Sequence, residues 1–465
     1  MVQLEKTMFR EYDVRGRVND QEVNENSSEI MAKGFAAFLN RRGIKEVVIG
    51  YDSRSYSKDI EHAFIAGLLK SGCRVIDLGM VLSPILYFAQ YQLKIKGGVM
   101  ITASHNPNGW SGFKLGYDYS VTLLPVDIQE LYQIILNNEF ISGEGKLENY
   151  DQIITDYQNF VLSKVKLQKK LKIVVDCGNG TAGPIAPKIL RAAGCEVIEQ
   201  FCDLNPDFPN HEPNPALVVA QEVLAKRVKE EKADLGFGFD GDGDRLGFCN
   251  EKGKTVLADQ ALVLLARQAL KENPGAAIVF DVKSTQGLIE DISARGGKPV
   301  MWITGHSYIK QKVKETNAIL GGESSGHFFY VHDGHNYDDA IFAALKFLAY
   351  LSGANQTFSE LMKTTPQYFK SPVWQAECAD EVKYQIVEKL VAELKKDFGA
   401  DRVIDINGAR VETDEGWFLV RASSNLPVLV MVFEAKTKRR LNELQKILRS
   451  YLDQYPEIGK EWGSG

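Results

Sequence analysis

The sequence predicts an α/β protein with three similar βαβ-type mixed-sheet domains plus a smaller C-terminal α+β domain around a central cleft. Two observations carry this prediction. First, one pattern occurs three times: a strand, a helix opened by Ser, Gly or Thr, a glycine and a second strand. The first strands of the three copies lie at 46–52, 171–176 and 277–281. Second, this framework stops after about residue 371, where a long helix and a pair of strands follow.

The composition is that of an ordinary soluble protein. The 465 residues are 44% hydrophobic and 25% charged, which suits roughly three or four domains. The net charge of −6 comes without a basic arm, so nucleic acid is not an expected partner. Six cysteines without a Cys-x-x-Cys pair, the lack of a visible signal peptide and the lack of a long apolar run indicate a cytoplasmic protein without a membrane partner. We expect a monomer or a weak dimer.

The first elements of the chain precede the repeats. Segment 9–17 places three arginines around two acids and, taken alone, is interpreted as a solvated loop. A helix is predicted from about Ser28 to Arg41, ahead of the first strand of the first repeat.

A serine loop ends the first repeat. A short strand at 99–101 is followed by the turn dipeptides of 106–109, so Ser104 is predicted on a tight loop at the end of a strand. Loops of this kind often carry chemistry. The Gly-x-Ser-x-Gly setting of a hydrolase elbow is missing, and His105 is a neighbour in sequence, not an obvious base. A serine that merely caps a turn is the alternative.

An acidic loop ends the second repeat. Asp240, Asp242 and Asp244 alternate with glycines, which lets the backbone fold around one ion. Oxygen-only ligands select a hard cation, and a small number of carboxylates suits Mg²⁺, which takes its other ligands from water or phosphate. An EF-hand is the alternative, since Glu251 falls at the twelfth position, but Arg245 stands where that loop requires glycine.

Glycine-framed polar loops mark the third repeat. The loop at 305–307 contains a histidine, and the loop at 321–327 combines a carboxylate, hydroxyls and an imidazole suited to holding the hydroxyls of a sugar. Serine-rich turns without a function are the alternative. Lys283 follows a strand, a position that more often holds a surface charge than a ligand.

The C-terminal domain is predicted as helix 382–398, strands 416–420 and 428–434, and a final helix near 440–452. The loop at 421–427 joins the two strands. It is either an ordinary hairpin loop or a phosphate grip made of a guanidinium, hydroxyls, an amide and backbone donors.

We place the domains at 1–150, 151–253, 254–368 and 369–465. In open α/β sheets the loops at the carboxyl ends of strands gather at one edge, where ligands bind. The serine loop, the acidic loop and the loop at 321–327, hereafter the sugar loop, therefore face one cleft if the domains pack side by side. Independent domains that share no site are the alternative.

Four motifs occur in register along nearly the whole chain. They are Thr102-Ala103-Ser104-His105-Asn106-Pro107, Asp240-Gly241-Asp242-Gly243-Asp244-Arg245, Gly322-Glu323-Ser324-Ser325-Gly326-His327 and Arg421-Ala422-Ser423. Together they resemble the α-D-phosphohexomutase superfamily. With Arg-Glu-Tyr-Asp-Val-Arg-Gly at 10–16 and Gly-His-Ser at 305–307, the chain looks most like its bacterial phosphomannomutase/phosphoglucomutase group.

The resemblance implies a phosphohexomutase that interconverts hexose 6-phosphate and hexose 1-phosphate through a phosphoserine, with Mg²⁺ and a hexose 1,6-bisphosphate as cofactors. The implied catalytic residues are Ser104, Arg15, Lys114 and His306. The implied substrate-binding residues are Tyr12, Arg245, Lys283, Glu323, Ser325, His327, Arg421, Ser423 and Asn425. The implied metal-binding residues are Ser104, Asp240, Asp242 and Asp244.

Other functions stay open at this stage. Ser424-Asn425 stands where relatives often have Asn-Thr, and Ser324 lies at a variable place, so the sugar preference is open and phosphoglucosamine mutase is an alternative. A non-catalytic protein that binds metal and sugar phosphate needs the same pockets but no phosphoserine. A phosphatase keeps the metal but releases phosphate to water.

Overall fold

A computed structural model describes residues 4–332, 335–424 and 426–464. These described residues form four sheets, three mixed and one C-terminal and antiparallel, as the sequence predicts. Two short 3-10 helices lie at Lys6–Met8 and Ala400–Arg402.

The first sheet has the strand order β1-β5-β4-β2-β3-β7, with β6 beside β5. Its strands are β1 Val14–Arg17, β2 Glu46–Tyr51, β3 Arg74–Met80, β4 Gly97–Ile101, β5 Trp110–Asp118, β6 Val121–Thr122 and β7 Lys146–Asn149. Its helices are α1 Glu25–Asn40, α2 Ser57–Lys70, α3 Ser83–Leu93 and α4 Pro125–Leu136.

The second sheet has the strand order β12-β11-β10-β8-β9. Its strands are β8 Lys172–Asp176, β9 Glu196–Gln200, β10 Leu235–Phe239, β11 Leu246–Asn250 and β12 Thr255–Val256. The helices that accompany it are α5 Ile153–Ser163, α6 Ala186–Ala192 and α7 Val218–Glu231.

The third sheet has the strand order β14-β13-β15-β16-β17. Its strands are β13 Ala277–Asp281, β14 Lys298–Trp302, β15 Leu320–Gly322, β16 Phe328–His332 and β17 His335–Asp338. Its helices are α8 Ala258–Glu272, α9 Gln286–Ala294, α10 His306–Thr316, α11 Ala340–Ser352 and α12 Phe358–Lys363.

The fourth sheet has the order β20-β21-β22-β23-β19-β24, with β18 beside β23. Its strands are β18 Phe369–Lys370, β19 Trp374–Glu377, β20 Val403–Ile404, β21 Ala409–Thr413, β22 Gly416–Ala422, β23 Val428–Ala435 and β24 Gly463–Ser464. Two helices, α13 Asp380–Phe398 and α14 Lys438–Leu452, cover it. All of its pairings are antiparallel, which agrees with the change of pattern seen in the sequence.

The three repeats share one topology. In each, the first strand (β2, β8 or β13) lies between two parallel neighbours, and the third strand (β4, β10 or β15) also pairs with an antiparallel strand. These central strands are almost entirely buried, as expected for parallel strands with helices on both faces. The loop after each third strand therefore opens at the carboxyl edge of its sheet.

One hydrophobic core joins the three repeats. Phe88 on α3 packs against Tyr157 on α5, with ring centroids 5.7 Å apart. Phe237 on β10 packs against Phe347 on α11 at 6.3 Å, and all four residues belong to the same buried cluster. Because interiors pack densely, such a shared core fixes the three strand-end loops relative to one another. The arrangement excludes independent domains.

The fourth sheet rests on the third. Trp417 and Leu419 form a small buried cluster with Val282, just beyond β13. The guanidinium of Arg410 is fully buried there and donates to the carbonyls of Val282 at 2.9 Å and Ser284 at 2.8 Å. This contact places the loop after β22 opposite the loops of the repeats.

The interpretation of segment 9–17 as a solvated loop is wrong in part. Residues Val14–Arg17 form an edge strand that pairs with β5, with Val14 opposite Phe113. Asp13 is 2% exposed because Arg15 pairs with it. The charges of this segment find partners within the fold, which the local sequence does not reveal.

Among the helices that the structure describes, none combines the length and the apolar character that crossing a membrane requires.

Candidate active site

One cleft of about 690 Å³ lies where loops of the four sheets meet. The predicted site residues that line it are Tyr12, Arg15, Ser104, Lys114, Arg245, Lys283, His306, Glu323, Ser325, His327, Arg421 and Ser423. The three predicted metal-binding aspartates lie directly behind the cleft and are fully buried. Asn425 lies outside the described residues. The fold thus gathers side chains that are up to about four hundred positions apart in the sequence.

Ser104 lies on the loop after β4, and its φ of +52° is in the left-handed region, which is unusual for a serine. Its amide donates to Thr102 Oγ1 at 2.8 Å, and its hydroxyl donates to Asp240 Oδ2 at 3.0 Å. The same hydroxyl lies 3.1 Å from His105 Nδ1, a contact that the sequence did not predict. Burial, followed by the charge of Arg245, lowers the pKa of His105 well below its usual range. The imidazole is therefore neutral beside the hydroxyl.

The acidic loop between β10 and β11 brings three carboxylates together. One oxygen each of Asp240, Asp242 and Asp244 lie within 4.8 Å of one another. Burial and the neighbouring charges of Asp244 and Asp242 raise the pKa of Asp240 well above its usual range. A β-carbon on Gly241 would lie 2.5 Å from the carbonyl oxygen of Ser104, so glycine is required where the acidic loop meets the serine loop.

The carboxylates fit a hard divalent cation. Asp242 Oδ1 is buried and has no hydrogen-bond partner among the described residues, whereas Asp244 Oδ1 lies 3.3 Å from His327 Nε2. Buried polar atoms normally have partners, so Asp242 Oδ1 is available to bind a cation. Lys114 Nζ donates to Asp242 Oδ2 at 2.7 Å and also to Asp244. The donor set contains oxygen only, which favours Mg²⁺ over softer metals.

The EF-hand alternative is excluded. The carboxylate of Glu251 accepts hydrogen bonds from the amide, at 3.0 Å, and from the hydroxyl of Ser359. It therefore faces α12 and is no part of the aspartate cluster. Residues Leu246–Asn250 form strand β11, which leads the chain away from the cluster.

Arg15 approaches the serine loop from the first strand. Its Nη1 lies 3.3 Å from Asn106 Oδ1, and its Nη2 lies 2.8 Å from Asp13 Oδ2. Asp13 Oδ1 lies 3.6 Å from His306 Nε2, at the beginning of α10. Burial lowers the pKa of His306 although Asp13 opposes that change. The imidazole is thus neutral at neutral pH and can accept a proton.

The residues predicted to bind the sugar form a second charged group. Glu323 accepts from the amide of Gly305 at 2.7 Å and lies 3.0 Å from His327 Nδ1. Burial opposes ionisation of Glu323, but His327 lowers its pKa to about 2. Burial likewise opposes protonation of His327, but Asp244 raises its pKa to about 9. At neutral pH an ionised Glu323 therefore faces the cleft beside a charged imidazole.

The acidic loop is joined to the sugar loop through the backbone. Arg245 and His327 form an antiparallel bridge, and the amide of Leu246 donates to the carbonyl of Gly326 at 3.0 Å. The side chain of Lys283 is 12% exposed and lies 3.5 Å from Asp281. Lys283 lines the cleft, where the resemblance places it, and its burial does not agree with the alternative of a surface charge.

The loop after β22 contributes the remaining wall. Arg421 is 6% exposed, its Nη2 lies 3.2 Å from Ser424 Oγ, and its Nε has no partner among the described residues. Lys383 Nζ holds the turn by donating to the carbonyls of Ser423 at 2.6 Å and Leu426 at 2.9 Å. Lys383 was missed by the sequence reasoning, because it lies about forty positions from the turn.

An aspartate closes the first strand of every repeat, a signal that the sequence reasoning did not use. Asp52, Asp176 and Asp281 are all buried. Asp52 accepts from the amide of Ala103 at 3.3 Å, and Asp281 accepts from the amide of Ser324 at 3.1 Å. The recurring carboxylate thus holds the functional loop after the third strand in the first and third repeats.

The comparisons with known proteins agree with this architecture. The chain matches the phosphoglucomutase/phosphomannomutase α/β/α domains I, II and III over residues 6–142, 151–253 and 258–369, and the C-terminal domain over residues 375–450. The phosphomannomutase/phosphoglucomutase of Pseudomonas aeruginosa is 40% identical over 449 residues, which is 97% of this chain and 96% of that protein.

Solved structures show the same fold. The phosphoglucomutase/phosphomannomutase family protein of Burkholderia thailandensis superposes with a TM-score of 0.90 at 34% identity, covering 97% of this chain and 98% of that one. N-acetylphosphoglucosamine mutase of Aspergillus fumigatus, in complex with GlcNAc-6P and magnesium, has a TM-score of 0.55 at 15% identity over 88% of this chain and 82% of that one.

Four sheets around one cleft, with a serine loop facing an acidic loop, define the architecture of the α-D-phosphohexomutase superfamily. Within it, the chain belongs to the phosphoglucomutase/phosphomannomutase family.

Proposed function

We propose that this chain interconverts the 6-phosphate and the 1-phosphate of mannose and of glucose through phosphorylated Ser104 and a hexose 1,6-bisphosphate. Family membership makes the chain a phosphohexomutase, an intramolecular phosphotransferase. One observation carries the proposal. The hydroxyl of Ser104 lies 3.0 Å from the aspartate cluster at one side of a cleft that Arg421, on the fourth sheet, also lines.

Ser104 carries the phosphoryl group in this proposal. The oxygen of a free sugar hydroxyl forms a bond to phosphorus while the bond from phosphorus to Ser104 Oγ breaks. The loose transition state of phosphoryl transfer needs positioning and charge neutralisation more than a strong nucleophile. Arg15, which reaches the serine loop, and Lys114, which lies beside the aspartates, supply positive charge there.

Asp240, Asp242 and Asp244, with Ser104 beside them, are the residues that would hold Mg²⁺. When bound, the cation would neutralise negative charge on the transferring group. The buried oxygen Asp242 Oδ1, which has no hydrogen-bond partner among the described residues, supports this assignment.

His306 is proposed to accept the proton of the attacking hydroxyl. Ser104 Oγ keeps the electron pair of the bond that breaks. In the second half-reaction it bonds to the other phosphate, and His306 returns its proton to the sugar oxygen that leaves, so the protons balance over the full cycle. A neutral imidazole suits this role, and burial keeps His306 neutral by lowering its pKa. Tyr12 holds the ring from one side, with ring centroids 5.0 Å apart at a nearly perpendicular angle.

The substrate is proposed to lie across the cleft. Glu323 and Ser325 would accept hydrogen bonds from ring hydroxyls, with Arg245, Lys283 and His327 around them. Arg421, Ser423 and Asn425 would hold the phosphate that does not react. Charge-assisted hydrogen bonds from a guanidinium suit a phosphate in this place. After the first transfer the bisphosphate turns end for end, and its other phosphate returns to Ser104.

The intact mass of the purified protein tests the phosphoserine. We expect one phosphate on Ser104, together with conversion of mannose and glucose 1-phosphates when the bisphosphate activator is present. An unphosphorylated protein without turnover would favour a non-catalytic binding protein, and release of inorganic phosphate would favour a phosphatase.

We also propose residues 1–150, 151–253, 254–368 and 369–465 as the four domains, and a monomer or weak dimer as the state in solution. The sedimentation behaviour of the chain at increasing concentration tests the second part. A stable higher oligomer would contradict it.

A further inference from the structure

We propose that Arg54 is a positioning residue for phosphoryl transfer, whose guanidinium holds Ser104 in its left-handed conformation and in its place against the acidic loop. This inference rests on the proposed phosphoryl-carrying role of Ser104. Arg54 follows strand β2, and its side chain is 2% exposed. It does not line the cleft, so it acts on the reaction only through the serine loop.

The guanidinium of Arg54 contacts the backbone of the serine loop at three points. Its Nη2 donates to the carbonyl of Ser104 at 3.1 Å and to that of Asn106 at 2.5 Å. Its Nη1 donates to the carbonyl of Pro107 at 2.9 Å. A planar fork of donors can hold three carbonyls at once, whereas a lysine offers a single nitrogen.

The serine loop requires such support. A φ of +52° is unfavourable for a serine, because its β-carbon crowds the backbone in the left-handed region. Strained conformations of this kind persist only where surrounding contacts determine them. The Ser104 carbonyl that receives the Arg54 bond also packs against Gly241, where a β-carbon would lie 2.5 Å away. Fixing this carbonyl therefore fixes the serine relative to the aspartates.

Asp52 orients Arg54 and holds the other side of the loop. Its Oδ2 accepts from Arg54 Nε at 3.3 Å and from the amide of Ala103 at 3.3 Å. Its Oδ1 accepts from the hydroxyl of Ser57 at 2.5 Å. The ring of Phe208, from the second repeat, lies 5.3 Å from the guanidinium carbon. Arg54 is thus held rigidly between two repeats, as a residue that positions another must be.

Arg54→Ala should lower kcat by about 100-fold, since a displacement of a reacting group by about 1 Å has an effect of that size. The KM for glucose 1-phosphate should stay unchanged, because the substrate does not touch Arg54. Added guanidinium ion should restore part of kcat in Arg54→Ala, and Arg54→Lys should retain an intermediate kcat. Arg54→Lys keeps the test available if Arg54→Ala does not fold.

Arg267→Ala is the matched control. Arg267 is also an arginine paired with an aspartate, Asp291, and its side chain is 9% exposed, but it lies in the third repeat away from the cleft. The variant Arg267→Ala should be less stable than the wild type but should keep its kcat. Added guanidinium ion should not change the kcat of this variant. Equal kcat in Arg54→Ala and wild type, or a loss that guanidinium does not relieve, would overturn the proposal.

A crystal structure of the Arg54 variant separates this inference from the proposed function. We expect Ser104 to leave the left-handed region and its hydroxyl to move away from Asp240. An unchanged loop would overturn the positioning role even if the enzyme is a mutase. A displaced loop in a protein whose wild type shows no mutase activity would instead overturn the proposed function.

Discussion

Ser104 is the residue on which the proposed phosphoryl transfer depends. We expect Ser104→Ala to lose nearly all mutase activity and its phosphate, while its thermal unfolding stays close to that of the wild type. The hydroxyl makes its contacts in the cleft, and Ser104 belongs to none of the buried apolar clusters that hold the described chain together. Intact mass, turnover and thermal unfolding check this prediction.

Ser120→Ala is a suitable control for this variant. Ser120 is also a buried serine, and its hydroxyl contacts the carbonyl of Asn336 outside the cleft. It should keep the mutase activity. Normal turnover in Ser104→Ala would end the phosphoserine proposal.

Asp242 tests the metal site. We expect Asp242→Asn to weaken Mg²⁺ binding and to lower kcat steeply, because one anionic ligand fewer holds the cation less well. Activity at increasing Mg²⁺ after treatment with a chelator measures the change. Glu251→Gln should retain the wild-type metal dependence, since Glu251 contacts Ser359 instead of the cluster. Full activity of chelated wild-type enzyme would contradict the metal assignment.

The proposed role of His306 predicts how kcat/KM depends on pH. Burial, with Lys310 acting in the same direction and Asp13 against it, lowers the pKa of His306 from its usual value of 6.5. A protonated imidazole cannot accept a proton, so activity that needs the neutral form is lost only below this lowered pKa. We therefore expect the acid limb of kcat/KM to lie below pH 6.5. An acid limb above that value, or an unchanged limb in His306→Gln, would argue against this role.

At the scale of structural elements, the proposed role of the loop after β22 requires it to hold one phosphate and yet to release the bisphosphate for its turn. We expect Arg421→Ala to raise KM for hexose phosphate by about tenfold or more, because one charge-assisted hydrogen bond contributes roughly 1.5 to 3 kcal/mol. The variant should also release more bisphosphate to solution. Steady-state kinetics and an assay for released bisphosphate measure both effects.

The matching control lies in the same domain. Arg439 on α14 is 90% exposed and should tolerate replacement by alanine without a change in KM. If Arg421→Ala keeps both the wild-type KM and the wild-type release of bisphosphate, residues 421–427 form an ordinary hairpin loop. The phosphate grip would then have to lie elsewhere in the cleft.

In the repeats, a residue at the end of the first strand stabilises the loop that follows a neighbouring strand. An aspartate ends each of these strands and is buried. In the first and third repeats it accepts a backbone amide of the loop that follows the neighbouring parallel strand. Parallel pairing makes this possible, because it brings the carboxyl ends of both strands to one edge.

At the scale of the whole molecule, Glu323, in the loop after β15, and Arg421, on β22, line the same cleft. In the proposed binding mode, the sugar ring and its distal phosphate would therefore be held by different parts of the chain. We expect both glucose and mannose phosphates to be accepted, because Glu323 and Ser325 are proposed to bind hydroxyls that the two sugars share. Glucosamine phosphate should be a poor substrate.

A comparison of kcat/KM for the three sugar phosphates, each with bisphosphate activator, checks this expectation. A preference for glucosamine phosphate would instead favour the phosphoglucosamine mutase alternative.

The sequence alone determined the three repeats, the C-terminal change of pattern, the motifs and the family, because strand periodicity, turn dipeptides and metal-binding spacing are local. Only the tertiary structure decided that segment 14–17 is a strand. Only the tertiary structure revealed the contacts of His105, Arg54 and Lys383 with the functional loops. Arg54 and Lys383 each lie tens of positions away in the sequence from the loop that they contact. Packing, and not the local sequence pattern, decides which of such distant residues meet.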